Sequence, residues 1–565
     1  MQTSNKTTQP ASSTVVHALQ LVMLLLTIGP LWLITRDLFD GASIAYAGLI
    51  GNADGLYAWL ADANWLVAIY VYKVVFAVAS VLDVPYWLVI KVFLTGILLG
   101  LVFEFKRLAT DVFGLEDSPS RLLALLCLAS PSLYTVVSSA IVPIIFCIWL
   151  AFLGHRLFWS PRVWLRFAGL ALMVVSFQLN SSIVFVLALD VVYLYRFAAL
   201  RRQRIAWFAV LFLSALAVYM AMRSLAPPRQ VFVEYNRLLN PFNAADGLRI
   251  ARACAMFMTW GLIPMVGLAL VWITARWSGN GQSVSMTGML RSLASWQVVC
   301  CLFLCAAAIF PYVMVGKGAP LFTVTRFGQG ITEQVLRAAH SGPFAPTWAN
   351  TSGRHALFFA VPLAMLTWFL CAQLRERITG KNQSAAPVPL FLLIAPLFLF
   401  WVLGSFSNKL ESQAAETSLV NGLKQMAPAP AGVVEIKYAP GSDWLIWTSA
   451  AGTILQQAWG VSNYYAMFYS LDAYRDDMQW QYHAYIRQTG ALKAPLIQNY
   501  LSMSGFPGEE CTTRYEAALP SSLPWLLLSG VLPAQAPAAR ITLLGTHCDA
   551  SYVMPNPSPD KVLIP

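Results

Sequence analysis

Long apolar runs alternate with short polar segments over about the first 406 residues of the chain. Each run is close to the roughly 20 residues that an α-helix needs to cross a bilayer at about 1.5 Å per residue. The pattern therefore predicts a polytopic α-helical membrane protein with about eleven transmembrane helices. The predicted spans are 15–34, 86–105, 122–137, 141–158, 167–178, 183–195, 207–222, 256–275, 294–315, 357–374 and 390–406.

Composition points the same way, because 58% of the 565 residues are hydrophobic and only 11% are charged. The mean hydropathy of +0.61 is far from that of a soluble domain. Residues 1–14 carry neither a strong basic region nor a small-residue cleavage site. The first run is therefore predicted to be a retained anchor behind a short cytoplasmic tail.

Lysine and arginine concentrate in the loops that are cytoplasmic if the N-terminus is inside. These residues are Lys106, Arg107, Arg121, Arg156, Arg162, Arg166, Arg196, Arg201, Arg202, Arg204, Arg276, Arg291, Arg375, Arg377 and Lys381. Their placement agrees with the positive-inside rule. It also accounts for most of the net charge of +11, which is therefore no argument for binding nucleic acid.

One apolar and aromatic stretch, 65–81, is left out of the count of spans. It is interrupted by Lys73, and a full crossing here would place the later arginines outside. The stretch is predicted to be a helix in the outer interface. The external loops are then 36–85, 227–252 and 317–355, within a membrane domain that covers 15–406.

Residues 407–565 follow a different pattern, in which short β-type runs at Val433–Tyr438 and 541–544 alternate with amphipathic stretches and Pro/Gly turns. An odd number of spans places this segment outside, where it is predicted to fold as a soluble α/β domain. Its two cysteines, Cys511 and Cys548, are expected to form a disulfide in an oxidising compartment.

The segment directly after the first span carries carboxylates. Residues 36–41 read Arg-Asp-Leu-Phe-Asp-Gly, and Asp54 lies further along the same loop. A carboxylate at the level of the lipid headgroups can act as a general base. Structural interpretations remain open, because Asp37 can pair with Arg36, and Asp40 and Asp54 both precede a glycine, as in a tight turn.

A second candidate set is cationic and lies in or next to the loop 317–355. Its members are Arg326, His340, Arg354 and His355. A guanidinium at the headgroup level can bind a lipid phosphate through paired hydrogen bonds. Snorkelling of Arg354 to the interface is the alternative interpretation.

Together these features resemble the GT-C superfamily of integral-membrane glycosyltransferases. The resemblance rests on the acidic first loop with Asp37 and Asp40, on the juxtamembrane helix, on Gly353-Arg354-His355 and on the C-terminal α/β domain. Within the superfamily, the chain is most similar to bacterial enzymes that modify O-antigen or other surface glycans. The commonest family pattern has two adjacent acids, whereas two residues separate Asp37 from Asp40 here.

The resemblance implies an inverting transfer of a sugar from a polyprenyl-phosphate donor to a surface glycan, such as lipopolysaccharide, or to a lipid-linked acceptor. The reaction would take place on the periplasmic face of the bacterial inner membrane. Asp40 is then the expected general base, with Asp37 or Asp54 as its orienting or metal-binding partner. The donor phosphate is expected to bind Arg354, Arg326, His355 and His340.

No cofactor follows from the sequence. A Mg²⁺ or Mn²⁺ ion held by Asp37 or Asp40 would also stabilise a leaving phosphate, and this alternative stays open beside the cationic residues.

Two other classes of protein also stay open. An O-antigen polymerase or ligase would use external Arg and His loops, but with its large loop between late spans. A transporter of lipid-linked glycans would be expected to hold charged residues at mid-membrane and to show inverted repeats. The sequence has no Gly-rich phosphate loop, no His-Glu-x-x-His and no Gly-x-Ser-x-Gly. Cytoplasmic nucleotide chemistry is therefore disfavoured.

Overall fold

The computed structural model describes residues 13–36, 41–51, 53–132, 138–197, 202–225, 227–228, 233, 236–277, 295–319, 321, 355–379, 387–426, 433–438, 451–460, 465–470, 512–518, 531–532 and 536–547. Most of these residues are helical. The first helices are α1 (Ser13–Thr27), α2 (Gly29–Leu33), α3 (Gly41–Ile50), α4 (Asp54–Asp62), α5 (Leu66–Leu82) and α6 (Tyr86–Arg107), which continues into a π-helical turn, Leu108–Val112.

The middle of the chain adds longer helices with short connections. They are α7 (Asp117–Leu128), α8 (Val142–Phe158, preceded by the 3-10 turn Ser139–Ile141), α9 (Val163–Ser176), α10 (Asn180–Arg196), α11 (Arg202–Leu225), α12 (Ala244–Met258), α13 (Leu262–Trp277), α14 (Trp296–Val313), α15 (Leu357–Thr379) and α16 (Pro387–Lys424). The C-terminal part contains β1 (Val433–Tyr438), α17 (Ala451–Trp459), β2 (Tyr465–Ser470), β3 (Thr512–Ala518) and β4 (Arg540–His547).

Seven helical segments in the described part of the chain are long and apolar enough to cross a membrane. They are Thr14–Leu33, Tyr86–Val112, Ser139–Phe158, Phe208–Leu225, Ala244–Trp277, Trp296–Val313 and Leu357–Ile378. Shorter apolar helices cover Leu66–Leu82, Val163–Ser176 and Pro387–Leu403. The chain is thus a helical membrane protein, as its composition predicts, while the total of about eleven spans stays a prediction.

Contacts between the helices show which helix ends lie together, and they form two groups. We call the first group the Trp32 end of the molecule; there, Lys91 Nζ donates to the carbonyl oxygen of Trp32 at 3.2 Å. We call the second group the Arg107 end; there, Arg156 Nε donates to Glu104 Oε2 at 2.8 Å. The Trp32 end also contains Ser139, Gln178, Asn180, Tyr219, Tyr312 and Gln413, and the Arg107 end also contains Asp117, His155, Asp190, Arg196 and Trp296.

These contacts give successive helices opposite directions. The helices that run from the Trp32 end to the Arg107 end are α6, α8, α10, α13 and α15. The helices that run back include α9, α11, α14 and α16. This alternation is the one that the order of the apolar runs predicts.

Helix α5 is an exception to this alternation. Its first residue, Leu66, bonds through its backbone N–H to Gln178 Oε1 at 3.2 Å, and Tyr72 Oη donates to Ser139 O at 2.9 Å. Its last residue, Leu82, is followed almost at once by the start of α6. Because both of its ends lie at the Trp32 end, α5 does not run between the two ends. The helix predicted over 65–81 is therefore present, and its course agrees with leaving it out of the count of spans.

The longest helix, α16, passes through the predicted domain boundary after residue 406 and ends at Lys424. Residues 405–421 contain neither Pro nor Gly, so the sequence offers no signal to stop the helix there. The second half of α16 packs against the C-terminal sheet. Its core consists of Leu419, Val420 and Leu423 from α16 with Ile436, Ile454, Leu455, Tyr515 and Ala517.

The C-terminal sheet has the strand order β2-β1-β3-β4. Strand β1 pairs in parallel with β2 and β3, and β3 pairs antiparallel with β4. The strands predicted at 433–438 and 541–544 are present as β1 and within β4. Helix α17 packs on α16 and also on α3, which follows the acidic segment. The sheet-bearing part therefore lies at the Trp32 end.

Candidate functional site

Arg36, the last described residue before the acidic segment, is held by α16. The backbone N–H groups of Thr35 and Arg36 donate to Gln413 Oε1 at 2.6 and 3.0 Å. Gln413 Nε2 donates to the carbonyl oxygen of Leu33 at 3.0 Å, and Arg36 Nε donates to Thr417 Oγ1 at 2.9 Å. One glutamine thus binds three consecutive backbone positions after α2. As a result, α16 sets the point at which the chain enters residues 37–40.

A buried cluster of charges surrounds this point. Arg36 Nη1 lies 3.6 Å from Glu416 Oε2, and Lys409 is 3% exposed. Burial lowers the pKa of the Arg36 guanidinium, and the charge of Glu416 opposes that effect. Burial also lowers the pKa of the Lys409 ammonium to about 7, again against the influence of Glu416. The two cations therefore share one carboxylate as a source of stabilisation.

A groove, which we call the α2–α6 groove, opens beside the cluster between the end of α2 and the start of α6. Its cavity volume is about 40 Å³, which is room for about three water molecules. Arg36 and Lys91 provide its cationic groups, and Tyr86 and Trp87 provide aromatic rings. The apolar walls are Leu31, Ile34, Ile90 and Leu94. The groove thus joins cationic groups to an apolar surface.

Asp54 begins α4, which packs on α5 at the same end of the molecule. The tight turn considered for Asp54-Gly55 is wrong, because both residues lie in the helix and the turn lies earlier, at Gly51. An aspartate in the first turn of a helix is stabilised by the helix dipole. Burial raises the pKa of Tyr57, and the charge of Asp54 adds to that effect. A structural role therefore explains Asp54 as well as a catalytic one does.

His355 lies in a 3-10 turn just before α15, again at the Trp32 end. Its ring centre is 4.9 Å from that of Tyr312, whose hydroxyl lies 2.9 Å from Ser181 Oγ. The structure thus places His355 where α10, α14 and α15 meet. Its role as a phosphate ligand stays a prediction.

Several predicted site residues lie outside the described residues. They are Asp37, Asp40, Arg326, His340 and Arg354, together with Cys511 and Cys548. The Asp37–Arg36 pair, the base, the phosphate ligands and the disulfide therefore remain sequence-based predictions. Cys127, Cys147, Cys254, Cys300, Cys301, Cys305 and Cys371 are free thiols.

A metal site also stays a prediction from the sequence. Within the part of the chain that the structure describes, no group of three His, Cys, Asp or Glu side chains is placed to hold a metal ion. The proposed metal ligands, Asp37 and Asp40, lie outside that part.

The sequence pattern alone does not reveal the anchor residues on α16, because Gln413, Glu416 and Thr417 lie in the segment 407–565, which is predicted to be a separate domain. Their signal was a helix-compatible sequence that continues past Phe406 with polar residues at positions 413, 416 and 417, spaced to share one helix face.

The sequence pattern alone also does not reveal a buried polar cluster at the Arg107 end. His155 Nδ1 and Trp159 Nε1 both lie 2.7 Å from Asp190 Oδ1, and Asp190 is fully buried. Arg156 binds Glu104 nearby. Single acids within apolar runs, at positions 104 and 190, were the available signal. The cluster joins α6, α8 and α10.

Comparisons of the chain with protein-family models, with curated proteins and with solved structures found no match. The function is therefore inferred from the residues and their arrangement.

Proposed function

We propose that the protein is a membrane-bound glycosyltransferase that works at the Trp32 end, on the outer face of a bacterial inner membrane. Its donor is a sugar linked to a polyprenyl phosphate, and its acceptor is a surface glycan or a lipid-linked glycan. The observation that carries the proposal is the anchor at Arg36. It fixes the start of the acidic segment next to a groove with cationic and apolar lining.

The reaction needs a carboxylate and a positive charge at the same place. A carboxylate takes the proton of the acceptor hydroxyl, whose oxygen forms a bond to the anomeric carbon. The bond from that carbon to the phosphate oxygen breaks, and the released polyprenyl phosphate gains a negative charge. Cations at the phosphate stabilise that charge.

We assign the base to Asp40, with Asp37 or Asp54 as its partner, because residues 37–40 follow the anchored Arg36 directly. Arg326, His340, Arg354 and His355 are the proposed phosphate ligands from the later loop. A Mg²⁺ or Mn²⁺ ion on Asp37 or Asp40 would serve the same purpose.

The test is the surface glycan of the producing cell, measured by mass spectrometry with wild type, Asp40→Asn and Asp37→Asn at matched expression. Loss of one sugar unit with Asp40→Asn alone supports the transferase and identifies its base. Asp83→Asn is the matched control, because Asp83 has a φ of 50° that asparagine also adopts readily. This variant is expected to leave the glycan unchanged.

An unchanged glycan in both acid variants would count against the proposal if deletion of the whole gene shortens or abolishes the glycan. That result would favour an O-antigen polymerase or ligase, or a transporter.

The buried Asp190 is the observation that favours a transporter as the second candidate. Ionisable residues inside membrane helices often mark transport pathways. However, Asp190 Oδ1 accepts hydrogen bonds from His155 and Trp159, so a structural role accounts for its position. Asp190→Asn separates the two functions. If the protein is a transporter, the variant should no longer move a lipid-linked glycan across the membrane of vesicles. If it is the transferase, the variant should be less stable but should still make the same glycan.

A further inference from the structure

The α2–α6 groove combines cationic side chains with an apolar surface. We propose that it binds the phosphate group of a membrane lipid, with Lys91 and Arg36 at the phosphate and the lipid chain along the apolar side. The site is formed by described residues at the end of α2 and the start of α6.

Both cations line the groove although they are largely withdrawn from solvent. Lys91 is 8% exposed, and the Arg36 side chain is 13% exposed. Lys91 Nζ is oriented by the carbonyl oxygen of Trp32 at 3.2 Å and lies 4.8 Å from the centre of the Trp87 ring. Arg36 is fixed by its bonds to α16. Positioned cations of this kind form charge-assisted hydrogen bonds to phosphate oxygens.

The surroundings of the groove suit a lipid. The residues that flank it on the outside of the bundle are apolar and exposed, with Leu33 at 42% and Val92 at 58%. Trp32 and Trp87 lie at the same level, and tryptophan favours the membrane–water interface. A phosphate held by Lys91 would therefore sit at headgroup depth with its chain directed into the bilayer.

The size of the groove limits what it holds. Its volume of about 40 Å³ is room for about three water molecules, which is less than a whole sugar phosphate needs. Any group attached to the far side of the phosphate must therefore project out of the groove.

Two lipids offer this chemistry, namely a polyprenyl phosphate and an ordinary phospholipid such as phosphatidylglycerol. The choice of the polyprenyl phosphate rests on the proposed function, whereas binding of a lipid phosphate does not. An experiment can therefore contradict the transferase activity without contradicting the lipid-phosphate site. Binding without glycan transfer would count against the transferase alone.

The experiment is native mass spectrometry of the full chain in detergent micelles with added polyprenyl phosphate. Lys91→Met is expected to weaken binding by at least about tenfold, because it removes the charge and keeps the length of the side chain. Lys91→Arg keeps the charge and is expected to retain most of the binding. Lys73→Met is the matched control, since Lys73 is an exposed lysine on α5 whose ammonium faces the ring of Tyr57.

Two further probes separate the sources. Polyprenol, which has no phosphate, should bind weakly to all variants. Phosphatidylglycerol should compete poorly if the polyprenyl phosphate is the occupant, whereas strong competition that also depends on Lys91 would support a general lipid-phosphate site. Equal binding of polyprenyl phosphate by wild type and by a folded Lys91→Met variant would overturn the proposal.

Discussion

At the scale of single residues, the charged cluster on α16 places two cations and one carboxylate largely out of contact with water. Lys409 is buried, the Arg36 side chain is only 13% exposed, and both interact with Glu416. A buried charge is costly unless a partner compensates for it. The position of Arg36, and with it the start of the acidic segment, therefore depends on the carboxylate of Glu416.

We expect Glu416→Gln to lower the free energy of unfolding by roughly 3 kcal/mol, because it leaves buried cations without their shared carboxylate. The measurement is equilibrium unfolding of the purified chain in mixed micelles. Asp117→Asn provides the comparison, since Asp117 pairs with Lys106 and Arg121 but is 58% exposed. A change below about 1 kcal/mol is expected there. Equal effects of the two substitutions would show that the α16 cluster is not a buried ion pair in solution.

The pH dependence of stability follows from Lys409. Its pKa is about 7 in the folded protein, compared with the ordinary lysine value of 10.5. Between these values the unfolded chain binds more protons than the folded one, so this group makes stability rise with pH over that range. Lys409→Met removes the contribution. The gain of the variant over wild type should be largest at or below about pH 7 and should shrink towards about pH 10.

Unfolding free energies of wild type and Lys409→Met at several pH values measure this difference. Lys73→Met, at an exposed lysine, should show no such trend. A gain for Lys409→Met that is constant with pH would mean that burial does not neutralise Lys409.

At the scale of elements, α8 and α9 are packed through two glycines. A Cβ atom on Gly154 would lie 2.9 Å from the carbonyl oxygen of Gly169, and one on Gly169 would lie 2.6 Å from the carbonyl oxygen of Gly154. The neighbours are backbone atoms, which cannot turn aside as a side chain can. Small residues at such a crossing allow helices to approach closely within a membrane.

Gly169→Ala is therefore expected to push α8 and α9 apart and to cost roughly 1 to 3 kcal/mol of stability. Gly96→Ala on α6 is the control, because a Cβ atom there would meet nothing within 4 Å. That variant should be unchanged or more stable by less than about 1 kcal/mol, since alanine is the better helix former. Unfolding in mixed micelles compares the two, and a similar cost for both would contradict close packing at Gly169.

Periodicity and length were enough to predict most elements but not their contacts. The run at 86–105 became α6, and the alternating segment 433–438 became β1. By contrast, the anchor between Gln413 and the residues after α2 joins positions about 380 apart in the chain, and no local pattern encodes that contact. The same limit applies to Lys91, because a lysine near the start of an apolar run looks like an interfacial charge until Trp32 and Trp87 are placed beside it.

At the scale of the whole molecule, α16 joins the helical part to the C-terminal sheet without a break. Asn421 Nδ2 donates to the carbonyl oxygen of Ala536 at 2.9 Å. The backbone N–H of Ala539 donates to the carbonyl oxygen of Ser418 at 2.8 Å. The same helix binds the residues before the acidic segment one to two turns earlier. A displacement of the sheet that carried the end of α16 with it would therefore also displace the anchor at Arg36.

The orientation of the molecule decides whether this end can work on surface glycans at all. The loops that join helices at the Arg107 end, such as 108–116 and 159–162, are short, and the positive-inside rule applies to short loops. Arginines in and beside these loops therefore predict that the Arg107 end is cytoplasmic. Asp83 and Asp117 lie at opposite ends, and both are exposed.

Cysteines introduced at these two positions test the orientation in intact cells. A membrane-impermeant maleimide is expected to label Asp83→Cys directly, because the Trp32 end is predicted to face outward. It is expected to label Asp117→Cys only after the membrane is permeabilised. The unsubstituted chain gives the background from its own cysteines. The reverse result would turn the Arg36 anchor and the α2–α6 groove towards the cytoplasm. A lipid phosphate could still bind there, but a transferase acting on surface glycans could not, since its acceptor would lie on the other side of the membrane.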